Sequence, residues 1–224
     1  MGEVGAVIVA AGASKRMGGV DKVFAMIAGK PLLVHTIDAF VACALVDRVV
    51  VVLNEDSLDA GRQLVRDGQW REVVELCAGG AHRQDSVRNG LGALSGCEWV
   101  IIHDGARPCV TPGLIEAGLQ EAWEWGAAVP VVPVNDTIKV VSPRLFVEHT
   151  PARENLWAAQ TPQVFRFDII MQAHKEARGY ATDDAALVEE MGYRVKAYLG
   201  SDANIKVTTP LDLVVAEAVL GIRR

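Results

Sequence analysis

The chain has 224 residues, half of them hydrophobic, and a formal net charge of −6. That length suits one large α/β domain with a sizeable core and leaves little room for a second. The negative balance argues against nucleic-acid or membrane-surface binding, and no apolar stretch reaches membrane-spanning length, so a cytoplasmic protein is expected.

Residues 6–10 read as a buried strand; the opening segment has no basic stretch and only a short apolar run, which suits a strand better than a signal peptide. Residues 31–43 form a helix with Pro31 at its start, 48–53 the next strand and 57–66 the next helix. Strands over 73–76 and 99–103 enclose a helix over 84–94, and Thr111-Pro112 opens a helix over 111–123 as N-cap and first turn. Another strand follows at 127–132. This alternation predicts a single Rossmann-like α/β domain with a mostly parallel sheet and helices on both faces.

The rhythm breaks over residues 133–157. Strand-like runs at 136–141 and 145–149 flank Ser142-Pro143-Arg144, which has turn chemistry. Exposed strand pairs need a cover, so this β-arm is expected to project and dimerise the chain; a hairpin folded back on its own domain is the alternative. Helices at 167–177 and 183–191, short strands at 194–199 and 205–207, and a closing helix at 211–220 complete the pattern. Cys43, Cys77, Cys97 and Cys109 lack metal-motif spacing and read as small buried hydrophobes in a reducing compartment.

Directly after the first strand comes Ala10-Ala11-Gly12-Ala13-Ser14-Lys15-Arg16-Met17-Gly18-Gly19, with Lys22 close behind. Small residues let backbone approach a ligand, and consecutive free N–H groups make an anion site. The order of residues is neither a Walker A loop nor the dinucleotide fingerprint GxGxxG, which disfavours a nicotinamide-dependent oxidoreductase. Arg16 and Lys22 together suit a triphosphate, although the loop alone also fits a surface turn with solvated cations. Further along lie Gly79-Gly80-Ala81-His82-Arg83-Gln84-Asp85-Ser86-Val87, His103-Asp104-Gly105-Ala106-Arg107-Pro108, Asn135-Asp136-Thr137-Ile138-Lys139, Gln160-Thr161-Pro162-Gln163 and Asn204-Ile205-Lys206-Val207-Thr208.

In this order the motifs resemble the family of 2-C-methyl-D-erythritol 4-phosphate cytidylyltransferases, nucleotidyltransferases of the non-mevalonate isoprenoid pathway, over almost the whole chain. The resemblance implies transfer of CMP from CTP to methylerythritol phosphate, with Mg²⁺ or another divalent cation and a homodimer joined through the arm. It implies that Arg16 and Lys22 stabilise the transition state, that Arg153 and Lys206 aim the attacking phosphate, and that Ala10, Ala11, Gly12, Ala13 and Ser14 hold the triphosphate. Gly79, Gly80 and Ser86 would face the base, with Asp104 and Ala106 also at the nucleotide. Asp104 is the one candidate for the metal, through water. Arg107, Thr137, Arg153, Thr161, Asp202 and Lys206 would form the alditol phosphate site. The chain departs from the family at Gly105, usually Ala, and at Ala203, where Asp is common.

Several of these residues have simpler readings. Ser86 also fits a helix cap, Asp104 and Arg107 a loop-tying ion pair, and Lys206 a solvated strand end. His103 reads as a structural strand-end residue, Asp183-Asp184 as helix N-terminal charge after Thr182, and Trp123 and Trp125 cannot share one helix face. Ribitol 5-phosphate is the alternative acceptor, and a non-catalytic nucleotide-binding regulator the alternative class.

Overall fold

The computed structural model describes residues 2–12 and 22–222. Side-chain alternation along the buried strands sets its layers. In β1 (Val4–Val9), Val4, Ala6 and Ile8 enter one apolar cluster and Val7 the other. The short hairpin β2 (Met26–Ile27) and β3 (Lys30–Pro31) leads into α1 (Leu32–Val41), and β4 (Arg48–Leu53) repeats the alternation. Then come α2 (Leu58–Asp67), β5 (Val74–Ala78), α3 (Arg83–Ala93), β6 (Trp99–Asp104), α4 (Pro112–Trp125) and β7 (Ala127–Pro133). The arm carries β8 (Val140–Val141) and β9 (Val147–His149), and its return gives β10 (Trp157–Ala159) and β11 (Gln163–Arg166). The chain continues through α5 (Phe167–Glu176), α6 (Asp184–Glu190), β12 (Lys196–Leu199) and α7 (Pro210–Ile222).

The main sheet runs β10-β7-β11-β6-β1-β4-β5, with β12 also on β7. Strands β5, β4, β1 and β6 are mutually parallel, so their carboxyl ends lie on one edge. Helices α1, α2 and α4 bury Leu33, Ile37, Phe40, Val65, Ile115 and Leu119 on one face. Helices α3, α5 and α6 bury Val87, Leu91, Ile169, Ile170, Leu187 and Val188 on the other. Thr111 caps α4 by accepting a hydrogen bond from the Leu114 N–H at 3.3 Å, as its sequence predicts, and Gly126 ends the helix at φ 84°.

Several features depart from the sequence expectation: β2, β3 and β10 have no counterpart in it, and the arm strands expected over 136–141 and 145–149 are confined to 140–141 and 147–149. Strand β11, which the sequence reading misses, lies antiparallel between β6 and β7, pairing Val164 with Ile101 on one side and Ala128 on the other. Residues 205–207, expected as a strand, form none: the Val207 N–H bonds to the Ala106 carbonyl at 2.8 Å, and its side chain joins a satellite cluster with Ile27, Leu32 and Ala216. In the arm, β8 and β9 pair antiparallel with a register shift, as the turn chemistry suggests. Leu145 at 82% and Phe146 at 72% exposure sit uncovered at its tip. All four cysteines are free, Cys43, Cys97 and Cys109 buried and Cys77 half-buried.

Candidate active site

The loops that leave the parallel strands converge on a cavity of about 460 Å³. Ala10, Ala11 and Gly12 enter from β1, Gly80 to His82 from the turn between β5 and α3, Arg83 and Ser86 from the start of α3, Asp104 and Ala106 from the end of β6, and Lys22 and Lys206 from outside the sheet. Backbone bonds carry the strand alignment into these loops: Ala10 donates to the Val52 carbonyl, Gly105 to Val9 and Gly79 to Leu53, each at 2.8 Å. Two glycines make that convergence sterically possible. A Cβ on Gly79 would lie 2.3 Å from the Ala11 Cβ and 2.8 Å from the Ser86 Oγ, and one on Gly105 would lie 2.9 Å from the Ala10 Cβ. Gly105, the departure noted above, thus sits where the β6 loop stacks on the β1 loop.

Ser86 is not the helix cap. His82 holds that position, and its N–H is met by the Asp85 carboxylate at 3.2 Å. The Ser86 hydroxyl accepts from the Gly80 N–H and donates to the His82 carbonyl, both at 3.1 Å, which ties the glycine turn to α3 beside the cavity.

Asp104 is the electrostatic centre. Its Oδ1 lies 3.2 Å from Arg83 Nε; its Oδ2 lies 2.7 Å from Lys206 Nζ and 3.8 Å from Arg107 Nε. Burial alone would raise the Asp104 pKa, but Arg83, Lys206 and Arg107 outweigh it and hold the carboxyl well below the usual range. Arg83 also reaches Asp184, at 2.7 Å through Nη1, and Asp184 in turn meets His174 Nε2 at 3.1 Å. Burial of Asp184 is likewise outweighed, chiefly by Arg83, so its carboxyl stays ionised and its pKa is depressed. For Arg83, desolvation opposes the charge and the two carboxylates more than restore it, so its pKa is raised.

Behind this centre, Thr161 and His103 lock the end of β6. The Asp104 N–H donates to Thr161 Oγ1 at 3.0 Å, that hydroxyl meets His103 Nδ1 at 3.0 Å, and His103 Nε2 faces the Arg107 carbonyl at 3.3 Å. A carbonyl can only accept, so Nε2 carries the proton and Nδ1 accepts from the threonine. Burial pushes the His103 pKa down to about 3, so the ring is a neutral structural element, as its sequence position suggests. Arg107 is buried and donates through Nη1 to the Asn204 carbonyl at 2.7 Å; Asn204 in turn donates to the Thr161 carbonyl at 2.8 Å.

The structure brings Ala10, Ala11, Gly12, Lys22, Gly80, Ser86, Asp104, Ala106 and Lys206 to one cavity, with Gly79 immediately behind it. Lys22 donates to the Val207 carbonyl at 3.1 Å, beside Lys206. Ala13, Ser14 and Arg16 lie outside the described residues. Thr161 and Arg107 stand behind the cavity wall rather than in it, and Asp202 is exposed on the loop before Lys206. Thr137 and Arg153 belong to the arm; Arg153 donates to the Asn135 carbonyl at 2.6 Å and lines a separate groove with Pro133 and Trp157. Two members of the network escaped the sequence reading. Arg83 lies inside the glycine motif, and the position of Asp183-Asp184 suggests helix-end charge; Asp183 does cap α6, accepting from the Ala186 N–H, whereas Asp184 turns inward to Arg83.

An α/β sheet whose strand ends carry glycine-rich loops and inward-facing cations around one carboxylate defines the class as a nucleotidyltransferase. The family model described as "IspD: 2-C-methyl-D-erythritol 4-phosphate cytidylyltransferase" matches residues 4–222, and the chain belongs to that family. A 2-C-methyl-D-erythritol 4-phosphate cytidylyltransferase of Dehalococcoides mccartyi (strain CBDB1) is 50% identical over 97% of this chain and 96% of its own. That of Alkaliphilus metalliredigens is 43% identical over 99% and 95%. Among solved structures, the 2-C-methyl-D-erythritol 4-phosphate cytidylyltransferase of Thermus thermophilus aligns with a TM-score of 0.80 at 34% identity, covering 96% of this chain and 98% of the other. The 4-diphosphocytidyl-2C-methyl-D-erythritol synthase of Anaerococcus prevotii aligns at 0.87 with 27% identity, over 98% and 96%.

Proposed function

We propose that the cavity binds CTP beside 2-C-methyl-D-erythritol 4-phosphate and that the chain transfers CMP from the first to the second, releasing pyrophosphate for isoprenoid precursor synthesis. The observation that carries this is that Lys22, Lys206, Arg83 and Asp104 line one cavity at the ends of parallel strands, in a chain of this family.

The acceptor phosphate, with a second pKa near ~6, is already largely dianionic at neutral pH. No general base is needed. An oxygen of that phosphate attacks the α-phosphorus of CTP, a new P–O bond forms, and the bond from the α-phosphorus to the bridging oxygen breaks. The difficulty is bringing two anions together and holding the charge that develops on pyrophosphate, so catalysis consists of positioning and electrostatics. Ala10 lines the triphosphate site with its N–H held by the Val52 carbonyl, and Ala11 and Gly12, with Ala13 and Ser14, offer backbone N–H groups to the phosphates; Lys22 and Arg16 take up charge in the transition state. Gly79, Gly80 and Ser86 wall the base. Lys206 turns from Asp104 toward the acceptor phosphate. Arg107 and Thr161 support Asp104 from behind, and Asp202 faces an acceptor hydroxyl.

The donor set fits Mg²⁺. Among the described residues the cavity is lined by one carboxylate, Asp104. That suits an ion carried mainly by substrate phosphates and water. Asp104 would hold it through its water shell, and the bound ion would neutralise the phosphates. Thr137 and Arg153 complete the acceptor site from the arm of a second copy, which makes the homodimer part of the same proposal; the uncovered tip at Leu145 and Phe146 supports it. Free cysteines support a reducing, cytoplasmic setting, and no helix among the described residues is long and apolar enough to cross a membrane.

Purified protein with CTP, Mg²⁺ and either methylerythritol phosphate or ribitol 5-phosphate tests the reading by ³¹P NMR. The expected result is pyrophosphate and a cytidine diphosphate ester with the first acceptor. Product with ribitol 5-phosphate alone would overturn it.

A further inference from the structure

Lys206 has two demands on one ammonium group. It lies 2.7 Å from Asp104 Oδ2, yet the function proposed above, on which this inference rests, needs it on the acceptor phosphate. Its side chain is 42% exposed, so it is free to turn, whereas the Asp104 side chain is only 10% exposed and cannot follow it into water. When Lys206 leaves, Asp104 loses its shortest cation contact. Arg107 stands farther off, at 3.8 Å, with Nη1 committed to the Asn204 carbonyl.

Arg83 is built to stay. Its Nε meets Asp104 Oδ1 at 3.2 Å while its Nη1 meets Asp184 Oδ2 at 2.7 Å. The Asp184 side chain is 1% exposed and is held from its other oxygen by His174. One planar guanidinium thus spans a carboxylate at the cavity and another in the core; a lysine ammonium, a point charge on a flexible stem, does not bridge them with fixed geometry. The bracket joins the start of α3, the end of β6 and the start of α6, and Arg83 itself lines the cavity.

We infer that Arg83, braced by Asp184, is a positioning residue that holds the Asp104 carboxylate in place while Lys206 swings to the acceptor phosphate. Asp184 acts only through Arg83. Its removal therefore matters little once Arg83 is gone, and the loss falls on kcat, whereas a mere tie between α3 and α6 would move stability and leave kcat unchanged.

The test is steady-state kinetics with CTP and methylerythritol phosphate for wild type, Arg83→Gln, Arg83→Lys, Asp184→Asn and the double variant Arg83→Gln/Asp184→Asn, with a melting curve for each. By analogy with partners that orient a site ligand, Asp184→Asn is expected to lower kcat about 10-fold and Arg83→Gln about 100-fold, with KM for CTP nearly unchanged. Arg83→Lys recovers only part of the loss. The double variant is no slower than Arg83→Gln alone, the non-additivity of residues acting in series. Losses that multiply in the double variant would overturn the inference, as would folded variants with lowered melting temperature and unchanged kcat. If Arg83→Gln does not fold, Asp184→Asn decides: a lower kcat at unchanged KM supports the bracket, and wild-type kcat overturns it. A wild type without turnover would overturn the functional reading itself, and the inference with it.

Discussion

His103 shows how burial, rather than chemistry, fixes a residue's role at this site. Its pKa falls from 6.5 to about 3 because the ring is fully buried. Between those values the unfolded chain binds a proton that the folded protein refuses, so stability rises with pH, by at most about 1.4 kcal/mol per unit. The depressed carboxyls of Asp104 and Asp184 add their own losses only lower, in the ordinary carboxylate range. Urea unfolding above about pH 5 therefore isolates the histidine. His103→Asn is expected to be less stable but to have a flatter pH dependence there, and an unchanged slope would contradict the neutral-ring assignment. For Lys22, loss of one positioned cation from a transition state costs about 2.7–4 kcal/mol, or roughly 10²–10³ in kcat. Lys22→Ala with near-normal kcat in the pyrophosphate assay would remove it from the chemistry. Lys22, Asp104 and Lys206 were legible because their motifs follow strand ends or precede a helix. Arg83 and Asp184 were not, because their ion pair spans 101 residues of sequence and no local pattern links them.

The elements were legible where periodicity was long and illegible where it was short. Strands β1, β4 and β6 each carry an unbroken apolar run of the kind a parallel sheet buries on both faces. Strand β11 offers only Val164 and Phe165 between Gln163 and Arg166, and its antiparallel place is set by β6 and β7 on either side. The Ile205-Lys206-Val207 alternation mimics a strand, yet Val207 bonds to Ala106 and so seats Lys206 beside Asp104. The arm is the element whose sequence and structure agree most usefully: turn residues give the hairpin, and apolar residues at its tip stay uncovered. Phe146→Asp is expected to shift the sedimenting mass from dimer to monomer while CTP binding to the cavity persists. A dimer that survives this substitution would place the interface elsewhere.

Across the whole molecule, the alternation of strands and helices foretold a doubly covered sheet, and the same topology places the strand-end loops on one edge. The family resemblance implies that the arm completes the cavity of a second copy, and within its own chain Arg153 lies in a separate groove. If a partner's Arg153 completes each site, mixing inactive Lys206→Ala and Arg153→Ala proteins and allowing exchange restores up to about a quarter of wild-type turnover, because one site in a mixed dimer regains both residues. Mixtures that stay inactive, with exchange shown by mass spectrometry, would argue that each chain serves itself.

The idea beneath all of this is that cations at the strand ends let two anions meet, and a structure with CTP and Mg²⁺ bound tests it most directly. The triphosphate is expected against Ala10 to Gly12 with Lys22 on its oxygens, the base against Gly80 and Ser86, and Arg83 still bridging Asp104 and Asp184. Nucleotide bound away from this cavity, with Lys22 and Lys206 turned to solvent, would contradict it.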